Sequence, residues 1–316
     1  MGGLPAARLQ TGDGVQTDWF ETSDGARLRY QRWPLVGGAP ALLLPGRGEP
    51  TDKYDEVAAA LHDRGFAVWA LNWRGQGGST PVGRRPRRGY IRTFERYVQD
   101  LDAFATHLSL DRPVVFAHSM GAHIALRSAH DHPGRFGALV LSAPMLGITL
   151  PAPLPLVRIG AELLVAFGQG ERFVPGSSEA AGRVFEGNAL TQDRDRFERY
   201  LALLDAQPDL ITGGATIAWL RAALNSLALV CAPGFAERIQ TPCVLVAPAL
   251  DSLVPPAAIR AFAARLPRGT FVQIPNARHE LFQERDVVRA ALWRQIDAFL
   301  AARRSGKRAL PDISGA

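Results

Sequence analysis

The chain has 316 residues, 47% of them apolar, with two cysteines and a net charge of +6. That length supports one or two domains and hides roughly three quarters of the unfolded surface on folding, so a core forms without disulfides. The positive charge is too weak over this length to indicate a nucleic-acid binder, and no stretch reaches the roughly 20 apolar residues of a membrane helix. The first residues, MGGLPAARLQTGDG, lack the basic start and apolar run of a secretory leader. The expected location is therefore cytoplasmic.

Trp19–Thr22 and Arg27–Trp33 flank a Ser-Asp-Gly turn and read as an opening hairpin. Ala41–Leu44 is a continuous apolar run stopped by Pro45-Gly46, which fits a strand buried on both faces. Tyr54–Arg64 has helical spacing and ends at Gly65. Ala67–Leu71 is the next strand. Phe94–Leu108 carries a helical apolar stripe. Val114–Ala117 is a strand, Gly121–His130 a helix and Gly137–Leu141 a strand. The proline-rich apolar region Ala143–Val157 reads as an irregular loop or a short helix.

The alternation then stops. Residues of about 144–236 hold helical patterns and no clear strand, with Phe197–Leu204 and Ile217–Leu229 the best helices. It resumes with strand Cys243–Ala247, helix Ala257–Leu266, strand Thr270–Ile274 and helix Val287–Arg303. Cys231 and Cys243 are too few for a disulfide framework and have no metal-ligand spacing, so both read as buried apolar fillers. The β-α-β-α order predicts an α/β fold with a mostly parallel sheet, helices on both faces and one helical insertion.

The sharpest chemical signal is Ala117-His118-Ser119-Met120-Gly121, set between a predicted strand and a predicted helix. A nucleophilic hydroxyl needs such a strained turn, where Oγ stands clear above the sheet edge and small residues flank it. The usual pattern is G-x-S-x-G, and Ala117 replaces its first glycine. The competing reading of Ser119 is a helix N-cap, which the strand-turn-helix setting disfavours.

Serine is a poor nucleophile without a base held by an acid, which on such sheets follow in the order acid, then histidine. Asp251 follows the strand at 243–247, and His279 follows the last predicted strand in Asn-Ala-Arg-His-Glu. Both lie at C-terminal strand ends, where open α/β sheets place their sites. The competing readings are a turn-forming aspartate before Pro255-Pro256 and an ordinary loop histidine. Asp205 and Asp209 are rival acids within the insertion. His62, His107, His123 and His130 fall in predicted helices and His132 at a helix end, while His118 should point away from the Ser119 hydroxyl. Oxyanion donors are expected from the backbone N–H of Met120 and from the loop Pro45-Gly46-Arg47-Gly48-Glu49, with Arg47 N–H the chosen one. An ordinary glycine-rich turn is the alternative for that loop.

The chain resembles α/β-hydrolases of the monoacylglycerol lipase and bacterial lysophospholipase group. The motifs carrying the likeness are Pro45-Gly46-Arg47-Gly48-Glu49, Trp73-Arg74-Gly75-Gln76-Gly77-Gly78-Ser79, His118-Ser119-Met120-Gly121, Ala277-Arg278-His279-Glu280 and the segment Phe185–Thr191. The resemblance implies an α/β-hydrolase core over 17–143 and 237–303 and an inserted helical lid over 144–236, and the sequence after the last helix reads as a flexible tail over 304–316. It also implies a serine carboxylester hydrolase, with Ser119, Asp251 and His279 catalytic, acting on a lysophospholipid or monoacylglycerol through an acyl-enzyme. No cofactor or metal is implied. Another small ester, thioester or C–C substrate, or a non-catalytic binding protein, are the alternatives. Arg84, Arg85, Arg87 and Arg88 follow the Trp-Arg-Gly-Gln-Gly motif and form a cluster suited to anionic membrane lipids, with a solvated loop as the competing reading.

Overall fold

The computed structural model describes residues 14–305. Residues 1–13, where no secretory signal is expected, and the tail from residue 306 onward lie outside the described residues. The chain opens with β1 (Gln16–Glu21) and β2 (Arg27–Trp33), an antiparallel hairpin as expected. Strands β3 (Ala39–Leu44), β4 (Phe66–Leu71), β5 (Val114–His118), β6 (Ala138–Ser142), β7 (Cys243–Pro248) and β8 (Gly269–Ile274) follow. The single sheet has the order β1-β2-β4-β3-β5-β6-β7-β8, and β3 to β8 are all parallel. Only the β1–β2 and β2–β4 pairs are antiparallel.

The central strands are buried on both faces, which is why their sequences read as unbroken apolar runs. Leu42 and Leu44 of β3 enter one core, and Ala41 and Leu43 enter the other. Val115 and Ala117 of β5 divide from Val114 and Phe116 in the same way. Helices α1 (Asp55–His62) and α8 (Asp286–Arg304) cover one face. Helices α2 (Glu95–Leu108), α3 (Ser119–Asp131) and α7 (Pro256–Ala263) cover the other. In α2 the side chains of Tyr97, Leu101 and Phe104 are each fully buried, and burial of such a side chain stabilises by about 1.5–3 kcal/mol.

Between β6 and β7 the chain forms α4 (Leu154–Ala166), α5 (Arg194–Ala206) and α6 (Ile217–Val230). The region Ala143–Val157 is irregular through Pro153, as expected, and its last four residues open α4, which runs on to Ala166. Helix α4 begins directly after Pro153 and carries Pro155 in its first turn, where a missing N–H costs no hydrogen bond. Helix α6 caps its N-terminus with the Thr216 hydroxyl, which accepts from Trp219 N at 3.2 Å. Its Trp219, Ala222 and Ala223 join the sheet core. Cys243 is buried in β7, but Cys231 is exposed. That residue stands just past the last buried turn of α6, so its role as a core filler is corrected.

Candidate active site

The turn between β5 and α3 holds Ser119 at φ 48°, a left-handed conformation that costs a non-glycine residue energy. The small flanking residues have a steric cause. A Cβ on Gly121 would lie 2.4 Å from Leu44 O and 2.5 Å from Pro45 O, because the elbow packs directly on the end of β3. Ala117 is completely buried, and its methyl is accommodated where a glycine is usual.

Three strand ends then converge. His279 Nε2 lies 2.9 Å from Ser119 Oγ, and His279 Nδ1 lies 2.7 Å from Asp251 Oδ2. The other carboxylate oxygen, Asp251 Oδ1, accepts from Leu253 N at 2.8 Å and Val254 N at 3.0 Å. Burial favours the neutral Asp251 carboxyl. The hydrogen bond and charge of His279, with the two backbone donors, outweigh burial and hold it below its usual value. Asp205 instead pairs with Arg183, and Asp209 sits in the short 3-10 turn Pro208–Leu210. His118 turns its ring against that of His279, at 4.8 Å between centroids, and toward Glu49. Burial pushes its pKa down to about 4, so it is neutral at physiological pH.

In the loop after β3, two glycine N–H groups flanking Arg47 are already engaged. Gly46 N donates to Glu49 Oε2 at 2.7 Å and Gly48 N to Gln76 Oε1 at 2.6 Å. Among the described residues the N–H of Arg47 between them has no partner, and neither does the N–H of Met120. Gln76, from the Trp-Arg-Gly-Gln-Gly motif, therefore fixes this loop, while Trp73 Nε1 donates to Pro45 O at 2.8 Å.

Behind this loop lies a buried charged cluster that the motif reading passed over. Lys53 Nζ is 2.7 Å from both Glu49 Oε1 and Glu280 Oε1, with its side chain 3% exposed. Tyr54 Oη donates to Glu49 Oε2 at 2.7 Å. The Lys53 ammonium lies 4.4 Å from the Tyr200 ring, and Tyr200 Oη donates to Gly48 O. Burial and the Glu49 charge push Glu280 up to about 7. Burial also works against Glu49, but Lys53 and His118 hold its carboxyl well below the ordinary value. Lys53 carries no periodic or motif signal, and Glu280 stands out only as the neighbour of His279 in the Ala277-Arg278-His279-Glu280 motif. The available signal was composition, since Lys53 is one of only two lysines in the chain.

A cavity of about 430 Å³ opens at Ser119 and His279. Its walls include Met145, Ile148, Leu201, Leu204, Ile211 and Trp219, so most of its surface is apolar. The segment Phe185–Thr191 docks on the histidine loop. Glu280 N donates to Leu190 O at 2.8 Å and Thr191 Oγ1 to Gln283 O at 2.7 Å. Asn188 Oδ1 accepts from Leu190 N and Thr191 N, which shapes that segment. Of the arginine cluster, Arg84, Arg85 and Arg87 are exposed. Arg88 turns inward over the Phe173 ring at 4.5 Å and donates to Glu171 O at 2.8 Å.

Residues 39–286 match the family model Hydrolase_4, described as serine aminopeptidase, S33. The chain is 28% identical over 263 residues to a probable lysophospholipase L2 of Haemophilus influenzae, which covers 82% of each protein. It is 34% identical over 203 residues to lysophospholipase L2 of Escherichia coli, spanning 62% of this chain and 58% of that protein. Among solved structures, a soluble variant of monoglyceride lipase from Saccharomyces cerevisiae in complex with a substrate analog matches with a TM-score of 0.73 at 20% identity. That match covers 95% of this chain and all of the other, and it shows the shared fold.

Proposed function

We propose that this chain, which belongs to the Hydrolase_4 (serine aminopeptidase, S33) family of α/β-hydrolases, is a serine carboxylester hydrolase acting on a single-chain acyl lipid. The observation that carries the reading is the relay from Asp251 through His279 to Ser119 Oγ at the mouth of a largely apolar cavity.

In this reading His279 Nε2 takes the Ser119 proton as Oγ attacks the ester carbonyl. Asp251 holds the imidazole in the tautomer that accepts at Nε2, and stabilises the imidazolium that forms. The oxyanion is received by the N–H groups of Arg47 and Met120, which no other group in the protein claims among the described residues. The bond to the leaving alcohol breaks as His279 returns the proton to it. Water, deprotonated by His279, then attacks the acyl-enzyme. The acid leaves and Ser119 regains its proton.

Two further features support a lipid substrate. The segment at 144–236 serves as a lid over Ser119, and its helix α4 leaves an apolar stripe outside. Leu156 is 64% exposed, Ile159 59%, Leu163 53% and Phe167 77%, at helical spacing on one face. Exposed apolar patches of this kind mark lipid or protein contacts. Exposed Arg84, Arg85 and Arg87 would add attraction to an anionic surface. The names of the lysophospholipase relatives point the same way.

Ser119→Ala should abolish fatty-acid release from lysophosphatidylcholine and monoacylglycerol, hydrolysis of p-nitrophenyl esters, and labelling by a fluorophosphonate probe. Retention of wild-type hydrolysis in that variant overturns the assignment. Cleavage of amino-acid p-nitroanilides in preference to esters would move the reaction to peptide bonds, as the family description suggests for other members.

A further inference from the structure

The cavity beside Ser119 contains a cation that no carboxylate neutralises. Other deep arginines are paired. Arg74 Nη2 lies 2.5 Å from Asp100, and Arg196 lies 2.7 Å from Glu56 and 2.6 Å from Asp286. Arg47 has only neutral company. Its Nη2 donates to Gly213 O at 2.5 Å, and its guanidinium lies 5.2 Å from the centre of the Trp219 ring. Its Nε is buried without a partner, and among the described residues no carboxylate pairs with it. Burial pushes the guanidinium down to about 10, so it still carries its charge at neutral pH.

Leaving a charge unpaired in the interior is costly unless a partner arrives from outside. The residue is part of the cavity wall, with Gly213 and Trp219 beside it. The same residue offers its backbone N–H toward the reacting carbonyl. Its guanidinium is thus tethered one side-chain length from the scissile ester. In a lysophospholipid the three-carbon glycerol unit separates the acyl ester from the phosphate, so both groups can reach this one residue. A planar fork suits phosphate oxygens and gains nothing comparable from a neutral glycerol hydroxyl.

We infer that the Arg47 side chain is an anion subsite of the reaction cavity and selects esters that carry a phosphate beside the acyl group. The inference rests on the ester-hydrolase reading for its substrate. It does not rest on it for binding.

The test compares lysophosphatidate and monoacylglycerol of the same acyl chain, below their aggregation limits, in the wild type, Arg47→Met and Arg47→Lys. The ratio of kcat/KM for the phosphate-bearing ester to that for the neutral ester should fall at least tenfold in Arg47→Met, mainly through KM. Arg47→Lys should recover part of it. An unchanged ratio overturns the subsite, because a general disturbance of the loop lowers both esters together. A binding arm separates this from the reaction itself. The Kd of lysophosphatidate for Ser119→Ala should rise at least tenfold in Ser119→Ala/Arg47→Met. Equal Kd values overturn the subsite whichever ester is cleaved. Arg47-dependent binding in a wild type that hydrolyses neither ester would overturn the proposed reaction and leave the subsite standing. Inorganic phosphate binding as tightly as the lipid, with the same dependence on Arg47, would make this a free-phosphate site and overturn the lipid assignment.

Discussion

Replacing Lys53 with methionine tests how the site is held. The substitution keeps most of the side-chain volume and removes a cation lying 2.7 Å from each of two buried carboxylates. A pair of unit charges about 4 Å apart attracts by about 4 kcal/mol at an effective dielectric of about 20, and desolvation offsets much of that. Removing one partner from a buried ionic group usually costs about 3–5 kcal/mol, because it strands the other charge. Here the low end applies. Glu280 is already pushed up to about 7 and can take a proton and bond to Glu49 as a neutral acid. We therefore expect a loss of about 3 kcal/mol in urea unfolding at pH 7.5. The loss should shrink toward pH 5, where protonation of a carboxylate is cheap. Lys53→Arg keeps the charge but forces a larger planar group into the same space, and should cost about 1–3 kcal/mol. A loss below about 1 kcal/mol for Lys53→Met, or one that grows as the pH falls, would refute the reasoning.

Three more outcomes follow from the geometry. Asp251→Asn should keep the fold but lower kcat on the order of 10⁴-fold, because the amide presents a donor where His279 Nδ1–H needs an acceptor; steady-state kinetics on a p-nitrophenyl ester measures it. Gly121→Ala meets backbone carbonyls rather than a movable side chain, so thermal or urea unfolding should register a loss near the upper end of the usual overpacking cost, about 3 kcal/mol. Glu280 binds its proton more tightly when folded, so its contribution to stability is complete below its ordinary value of 4.5 and declines as the pH rises through about 7. Glu280→Gln should therefore lose less stability than the wild type between pH 5 and 7.5, as read from urea midpoints at both values.

The centre of the sheet was legible because its central strands are buried on both faces, and the alternation of Leu42 and Leu44 against Ala41 and Leu43 leaves no polar position to break the run. The positions of Ser119, Asp251 and His279 were legible from the ends of those strands, since backbone topology alone brings such ends to one edge. Helix α4 was hidden for two reasons. Prolines crowd its start, and its apolar stripe faces outward, so burial does not sharpen the pattern. Cys231 was misplaced because residue type alone set the expectation, whereas its place just past the end of α6 leaves it exposed. The Lys53 cluster was invisible because it joins residues 49, 53 and 280, and no spacing along the chain encodes that meeting.

The cluster also explains a feature of the composition. Arginine serves nearly every basic position in this chain, and Lys53 is the sole lysine among the described residues. Between two carboxylates at equal distance a compact ammonium with rotatable donors fits where a rigid fork does not. That ammonium links two loops. Glu49 ties down Gly46 N on the oxyanion side, and Glu280 is the neighbour of His279 on the other. With Gly46 and Gly48 both held, the N–H of Arg47 between them stays without a partner among the described residues, as its proposed role as an oxyanion donor requires. Fixing a donor before charge develops is what makes it effective. The Lys53 cluster therefore holds the loop of the proposed oxyanion donor and the histidine loop in register. Its loss should lower kcat more than it raises KM, since it positions groups that act on the transition state and does not itself touch the substrate.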